Sequence, residues 1–165
     1  MKGRETFGHW EGDLLIFRKG HGKANVTSLL ERKSRFAFLL PNDDRRSTAV
    51  LAGVADALRP LPEAARRTVT FDRGSEFAGY AALDRELAVP SYFCDPHSPW
   101  QKGGVENANG RIRRFLPRHC EPAALGRARL RRLADRLNDT PRRCLGYRTP
   151  REVFDEHLTA PTGLP

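Results

Sequence analysis

Apolar and polar positions change rhythm along this 165-residue chain. The first third holds short runs rich in β-branched, aromatic and leucine residues, at 9–17, 25–30 and 35–40. Gly20 and Gly22 separate the first two, and Lys33-Ser34 the next two, so three consecutive antiparallel strands are expected. Pro41-Asn42-Asp43-Asp44 ends the sheet and opens a helix, whose apolar positions Val50, Leu51, Val54 and Leu58 keep helical spacing until Pro60 stops it. A short strand at 68–72 follows, then a helix marked by Phe77, Tyr80, Leu83 and Leu87, then a fifth strand at 89–94. Ser98-Pro99-Trp100-Gln101 has the form of a capping box and opens a helix through Val105, Ala108, Ile112 and Phe115, with Gly103-Gly104 weakening its start. A helix over about 123–138 uses Leu130, Leu133 and Leu137, and Thr149-Pro150-Arg151-Glu152 caps a short last one. A meander followed by α/β crossovers predicts a five-stranded mixed sheet flanked by helices.

That element order is the ribonuclease H-like architecture of the α/β class, in one domain with a core at about 5–155 and a tail at 156–165. The length suffices to bury a core without staples. An apolar share of 39% and a charged share of 30% describe an ordinary globular chain. Charges interrupt every apolar stretch before membrane-span length, and the N-terminus lacks the pattern of a secretory signal. Cys94, Cys120 and Cys144 are three and widely spaced, which fits reduced thiols in a cytosolic setting rather than a disulfide framework. Cys94 and His97 lack a second ligand pair, which argues against zinc.

Charge sharpens the reading. The net charge is +9, and residues 97–151 hold Lys102 and thirteen arginines against four acids, a local +10 that leaves −1 for the rest. Such a basic segment attracts phosphate whatever the base sequence. Arginine adds forked contact with phosphate oxygens, although an arginine-rich surface is also a way of staying solvated.

Three acids stand where a sheet of this kind places chemistry: Asp13 within the first strand, Asp72 at the end of the fourth, and Glu106 on the helix after the fifth. A carboxylate leaving an apolar strand is costly to bury unpaired, and three converging ones repel unless divalent cations neutralise them. Carboxylate oxygens are the hard ligands of Mg²⁺ and Mn²⁺, and two such ions suit an in-line phosphoryl displacement. No glycine signature of a nucleophile elbow or a P-loop is present. Taken singly, each acid also fits a plain role as strand-edge, turn or helix-surface charge.

The stretches HWEGD (9–13), LERKSRF (30–36), FDRGSEF (71–77), YFCDPHSPW (92–100) and ENANG (106–110) closely resemble transposases of the insertion sequence 30 family. Residues 138–154, with LGYRTP at 145–150, are similar to that family's C-terminal signature. The 33 residues between Asp72 and Glu106 match its spacing. The resemblance implies a retroviral-integrase-like core in which Asp13, Asp72 and Glu106 are catalytic and hold two Mg²⁺ or Mn²⁺ ions. It implies hydrolysis that frees a 3′-hydroxyl at an element end, followed by attack of that hydroxyl on target DNA. Double-stranded DNA is then the partner, as element end and as target. A homo-oligomer assembled on DNA is expected, with no membrane, at the bacterial nucleoid. Arg73 stands where the family usually has asparagine and is read as a possible DNA contact. Family members begin with a helix-turn-helix region, whereas this chain reaches its first core strand within a few residues of Met1, so an isolated core is expected. Two other readings are a ribonuclease H-like nuclease that does not join strands and a DNA-binding remnant that does not transpose.

Further candidates surround the acids. Glu11 shares a strand face with Asp13, as a supporting acid or as a structural or positioning group. Lys102, Glu106, Asn109 and Arg113 share a helix face by spacing, so Lys102, Asn109 and Arg113 are candidate phosphate contacts, with Asn107 as a brace. Trp100 suits stacking on a base or packing after its proline turn. Arg127, Arg129, Arg131, Arg132 and Arg136 surround a leucine-lined helix and suit DNA or a dimer face.

Overall fold

The computed structural model describes residues 6–18, 20, 22–72, 74–95, 103–121 and 125–160. Three antiparallel strands form first: β1 (His9–Ile16), β2 (Asn25–Glu31) and β3 (Ala37–Asn42). Helix α1 (Ser47–Leu58) leads to β4 (Thr68–Phe71), and α2 (Ala81–Leu87) leads to β5 (Ser91–Phe93). Strands β4 and β5 add in parallel on the other side of β1, giving the order β3-β2-β1-β4-β5. Helices α3 (Gly103–Ile112), α4 (Arg127–Asn138) and α5 (Pro150–Thr159) complete the described elements. The five-stranded mixed sheet expected from the hydrophobic pattern is therefore present, and the fold is ribonuclease H-like.

Alternation along β1 divides its side chains between the two faces. Trp10 and Leu14 face a cluster built from Val50, Val54 and Leu58 of α1, Leu83 of α2, and Phe71, Phe77 and Phe154. Trp10 is fully buried and its indole N–H donates to Ala65 O at 2.8 Å, which satisfies the one polar atom of the ring. Leu15 faces the opposite cluster, formed with Val26, Leu39, Ile112, Leu130, Leu133 and Leu137. Helices α1 and α2 thus cover one face, and α3 and α4 the other. Leu130, Leu133 and Leu137 are buried along α4, while Arg127, Arg129, Arg131, Arg132 and Arg136 lie on its exposed side.

Several boundaries shift from the sequence reading. Strand β3 runs on to Asn42, because that side chain donates to Asn25 Oδ1 and Thr27 Oγ1, and α1 begins only at Ser47. Phe77 and Tyr80 do not belong to α2. Phe77 stacks on Phe71 at 4.3 Å between centroids within a 3₁₀ turn, and this anchor delays the helix to Ala81. The regular part of α3 ends at Ile112, short of Phe115, and α4 begins at Arg127 after residues outside the described set. The capping box at Thr149 and Glu152 forms as expected. The one expected at Ser98 lies outside the described residues, as do His97, Trp100, Lys102 and Arg73.

Candidate active site

Strand pairing brings Asp13 and Asp72 to one side of the sheet. Strands β1 and β4 are parallel with Glu11 opposite Thr70, so the same register carried two residues further sets Asp13 beside Asp72. The residues just before them fix the other face. A Cβ on Gly12 would lie 2.5 Å from the Phe71 ring, so the absence of a side chain at Gly12 lets that ring close over β1. Side chains alternate, and Asp13 and Asp72 therefore leave their strands on the opposite face, where α3 packs. Both acids are half-buried. Asp72 sits at the exit of β4, where its Oδ1 accepts the Gly74 N–H at 3.0 Å.

Helix α3 lies on this face and turns Asn109 toward β1. Asn109 Nδ2 donates to Asp13 Oδ2 at 2.7 Å, and Ser28 Oγ donates to Asn109 Oδ1 at 2.6 Å. The amide is thus oriented from both ends and holds the Asp13 carboxylate in one position. Ser28, opposite Asp13 in the β1–β2 register, carries no motif signal of its own. Glu106 lies one turn before Asn109 and is exposed. Arg113, one turn after, donates to Ile16 O at 2.8 Å and Leu116 O at 3.4 Å, with its guanidinium 5.0 Å from the Phe17 ring centre. Burial and then Arg118 lower the pKa of Arg113, against the opposing pull of Asp13. Two of the three expected face-sharing contacts of α3 are thus described, and both turn toward β1. Asn107 is not among them, since it points to the other flank of the helix and lines a cleft there.

Glu11 is only 1% exposed and holds the first turn of α3. Its Oε2 accepts the Val105 N–H at 2.8 Å, and its Oε1 lies 3.0 Å from Arg32 Nε, an ion contact whose angle falls short of a hydrogen bond. A carboxylate at a helix N-terminus satisfies an orphan donor and meets the positive end of the helix. Gly104 makes this approach possible, because a Cβ there would lie 2.8 Å from Glu11 Oε2. The glycine pair that weakens the helix in sequence terms thus lets the helix sit against the strand. A second buried carboxylate, Glu31, accepts from the N–H groups of Gly8, Lys33 and Ser34 and from Ser34 Oγ, and so pins the β2–β3 turn.

The donor set of Asp13, Asp72 and Glu106 is all hard oxygen, which suits a divalent cation of the Mg²⁺ or Mn²⁺ type. Among the described residues no three His, Cys, Asp or Glu side chains are gathered closely enough to hold a metal ion. Asp13 and Asp72 are set by the strands, and Glu106 is the member on an exposed, rotatable side chain.

Comparison with known proteins gives the family and the fold. The integrase core domain family matches residues 3–99. A transposase for insertion sequence element IS1086 of Cupriavidus metallidurans is 40% identical over 94% of this chain and 45% of its own length. The transposase InsI for element IS30C of Escherichia coli K12 is 37% identical over 92% of this chain and 39% of its own. The chain thus spans less than half the length of these curated relatives. Among solved structures, the catalytic core domain of BIV integrase overlays with a TM-score of 0.67 at 18% identity, covering 90% of this chain and 94% of that one. A chain of the simian T-cell lymphotropic virus intasome, in complex with a PP2A regulatory subunit, overlays with a TM-score of 0.71 at 16% identity, covering 100% and 59%.

Proposed function

Because this chain belongs to the integrase core domain family, we propose that residues 1–165 form one catalytic core that cuts and joins DNA strands during transposition. The observation that carries this reading is the parallel pairing of β1 with β4 up to Glu11 and Thr70, two residues short of Asp13 and Asp72, in the sheet that packs against the helix bearing Glu106. Asp13, Asp72 and Glu106 are the residues that would hold two divalent cations, which supply charge neutralisation at the attacking and leaving oxygens. The rest of the work belongs to the chain. Asn109 and Ser28 fix the direction of the Asp13 carboxylate, and the Gly74 N–H fixes that of Asp72. Glu11 ties the start of α3 to β1 at Val105, the residue before Glu106. Preorganised groups of this kind cost little reorganisation during reaction.

The partner is double-stranded DNA, as element end and as target, held by a homo-oligomer in the bacterial cytoplasm at the nucleoid. The basic segment supports this, with Arg127 and Arg131 exposed along α4 beside Arg129, Arg132 and Arg136. Lys102 and Arg73 belong to the same proposal. No described helix is long and apolar enough to cross a membrane. The test is a joining assay with precut element ends, supercoiled plasmid and Mn²⁺. Covalent joining of ends to plasmid is expected. Nicks without joined product would point to a nuclease, and DNA binding without strand chemistry to a non-catalytic remnant.

A further inference from the structure

We propose that the cleft on the other flank of α3 is a second phosphate site, which grips the backbone of a DNA strand away from the acids; this rests on the reading of the chain as a DNA-processing core. Positions 106, 109 and 113 follow one side of the helix, whereas Gly104, Asn107 and Arg111 follow the other and line a cleft of about 220 Å³. Arg35 enters it from the β2–β3 turn and Arg142 from the segment after α4, and Cys144 stands at its rim with an exposed thiol. Two of the segments singled out in the sequence, 30–36 and 138–154, therefore meet here.

Three guanidiniums from three parts of the chain converge on one small space. Among the described residues, Arg32, Arg46, Arg59, Arg148 and Arg151 each have a carboxylate partner, but Arg35, Arg111 and Arg142 have none. Glu11 also borders Gly104, but its oxygens are engaged by Arg32 and Val105. Arg142 spends one terminal nitrogen on Leu137 O at 2.9 Å, and burial and then Arg111 lower its pKa. Arg35 takes a backbone φ of 64°, a region where glycine or asparagine is at ease and arginine is not. Arg35 and Arg142 are half-buried and Arg111 is exposed beside them, and like charges gathered in this way are stabilised by an anion placed among them. Guanidinium forks match phosphate oxygens in particular.

Size and charge select the ligand. The cleft is smaller than the roughly 300–1,000 Å³ typical of pockets that enclose a small molecule, so it takes a phosphate group rather than a whole nucleotide. The +10 carried by residues 97–151 favours a polyanion over a free ion.

The test measures DNA binding by the full chain in chelator, so the acid site plays no part. Wild type, Arg111→Gln and Arg35→Gln are titrated with duplex DNA over a range of salt, with Arg85→Gln on the exposed side of α2 as the control. Each cleft variant is expected to reduce the salt slope by about 0.9, the share of one phosphate contact, and to weaken all sequences alike. The control is expected to keep the wild-type slope. Slopes in both cleft variants equal to the control would overturn the site while leaving the catalytic reading intact, and a wild type that does not bind DNA would overturn both. A second measurement follows alkylation of Cys144 by peptide mass. Duplex DNA is expected to slow it, and inorganic phosphate at equal phosphate concentration is not. Equal protection by both would make this a free-anion site and refute the DNA assignment.

Discussion

Asparagine in place of Asp72 is expected to lower metal-dependent strand joining by about a thousandfold or more, which corresponds to about 4 kcal/mol. The substitution is informative because it separates charge from shape. An asparagine side-chain oxygen can still accept the Gly74 N–H, so the turn after β4 survives. The negative charge beside Asp13 does not. Thermal stability is expected to stay within about 0.5 kcal/mol of wild type, as for most half-exposed substitutions that keep their hydrogen bond. The readouts are the joining assay and a melting curve on the same preparation. Full activity in this variant would remove Asp72 from the site, and lost activity with a collapsed melting temperature would show a structural role instead.

The largest expected loss of stability comes from Glu11→Ala. Removing this carboxylate leaves the Val105 N–H without its acceptor and Arg32 without its counter-charge, at a position 1% exposed. Breaking a fully buried pair costs about 3–5 kcal/mol; Arg32 keeps 23% exposure, so about 3 kcal/mol is the fitting figure. For a chain of this length that lowers the melting temperature by about 6–12 °C. Glu11→Gln is the discriminating variant. Its side-chain oxygen can still accept from Val105 while Arg32 loses its counter-charge, so it is expected to recover part of the stability and to keep most of the joining activity. A Gln variant as impaired in joining as the Ala variant, but stable, would mean that the Glu11 charge acts in the chemistry rather than through the position of α3.

The contrast between these two residues shows what the sequence could and could not reveal. The position of Asp72 at the exit of β4 was legible because local signals converge on it: a short apolar strand, a following Arg73-Gly74, and motif-length similarity around it. The sheet was legible for the same reason, since period-2 runs bounded by glycine, proline and short polar turns depend only on neighbours. Glu11 was legible only as far as its face, from the two-residue step to Asp13. Its partner Val105 lies 94 residues away, and no local pattern names it. Asn138 is a similar case. It reads as the end of a helix, yet its amide accepts from Ala37 N and donates to Ala37 O, both at 2.9 Å, and so docks α4 on the edge strand. Gly104 was read as a weak helix start, because propensity knows nothing of the Glu11 oxygen that leaves no room for a Cβ. Asn107 was misplaced for a simpler reason. Adjacent helix positions lie about 100° apart, so its neighbour Glu106 can flank the acids while Asn107 lines the arginine cleft.

The central claim is that Asp13, Asp72 and Glu106 together bind divalent cations. Crystals of this chain soaked in Mn²⁺ test it most directly, through anomalous scattering. Two manganese peaks between the three carboxylates, about 3.5–4 Å apart, are the predicted result. Well-ordered Asp13, Asp72 and Glu106 side chains with no peak among them would contradict it.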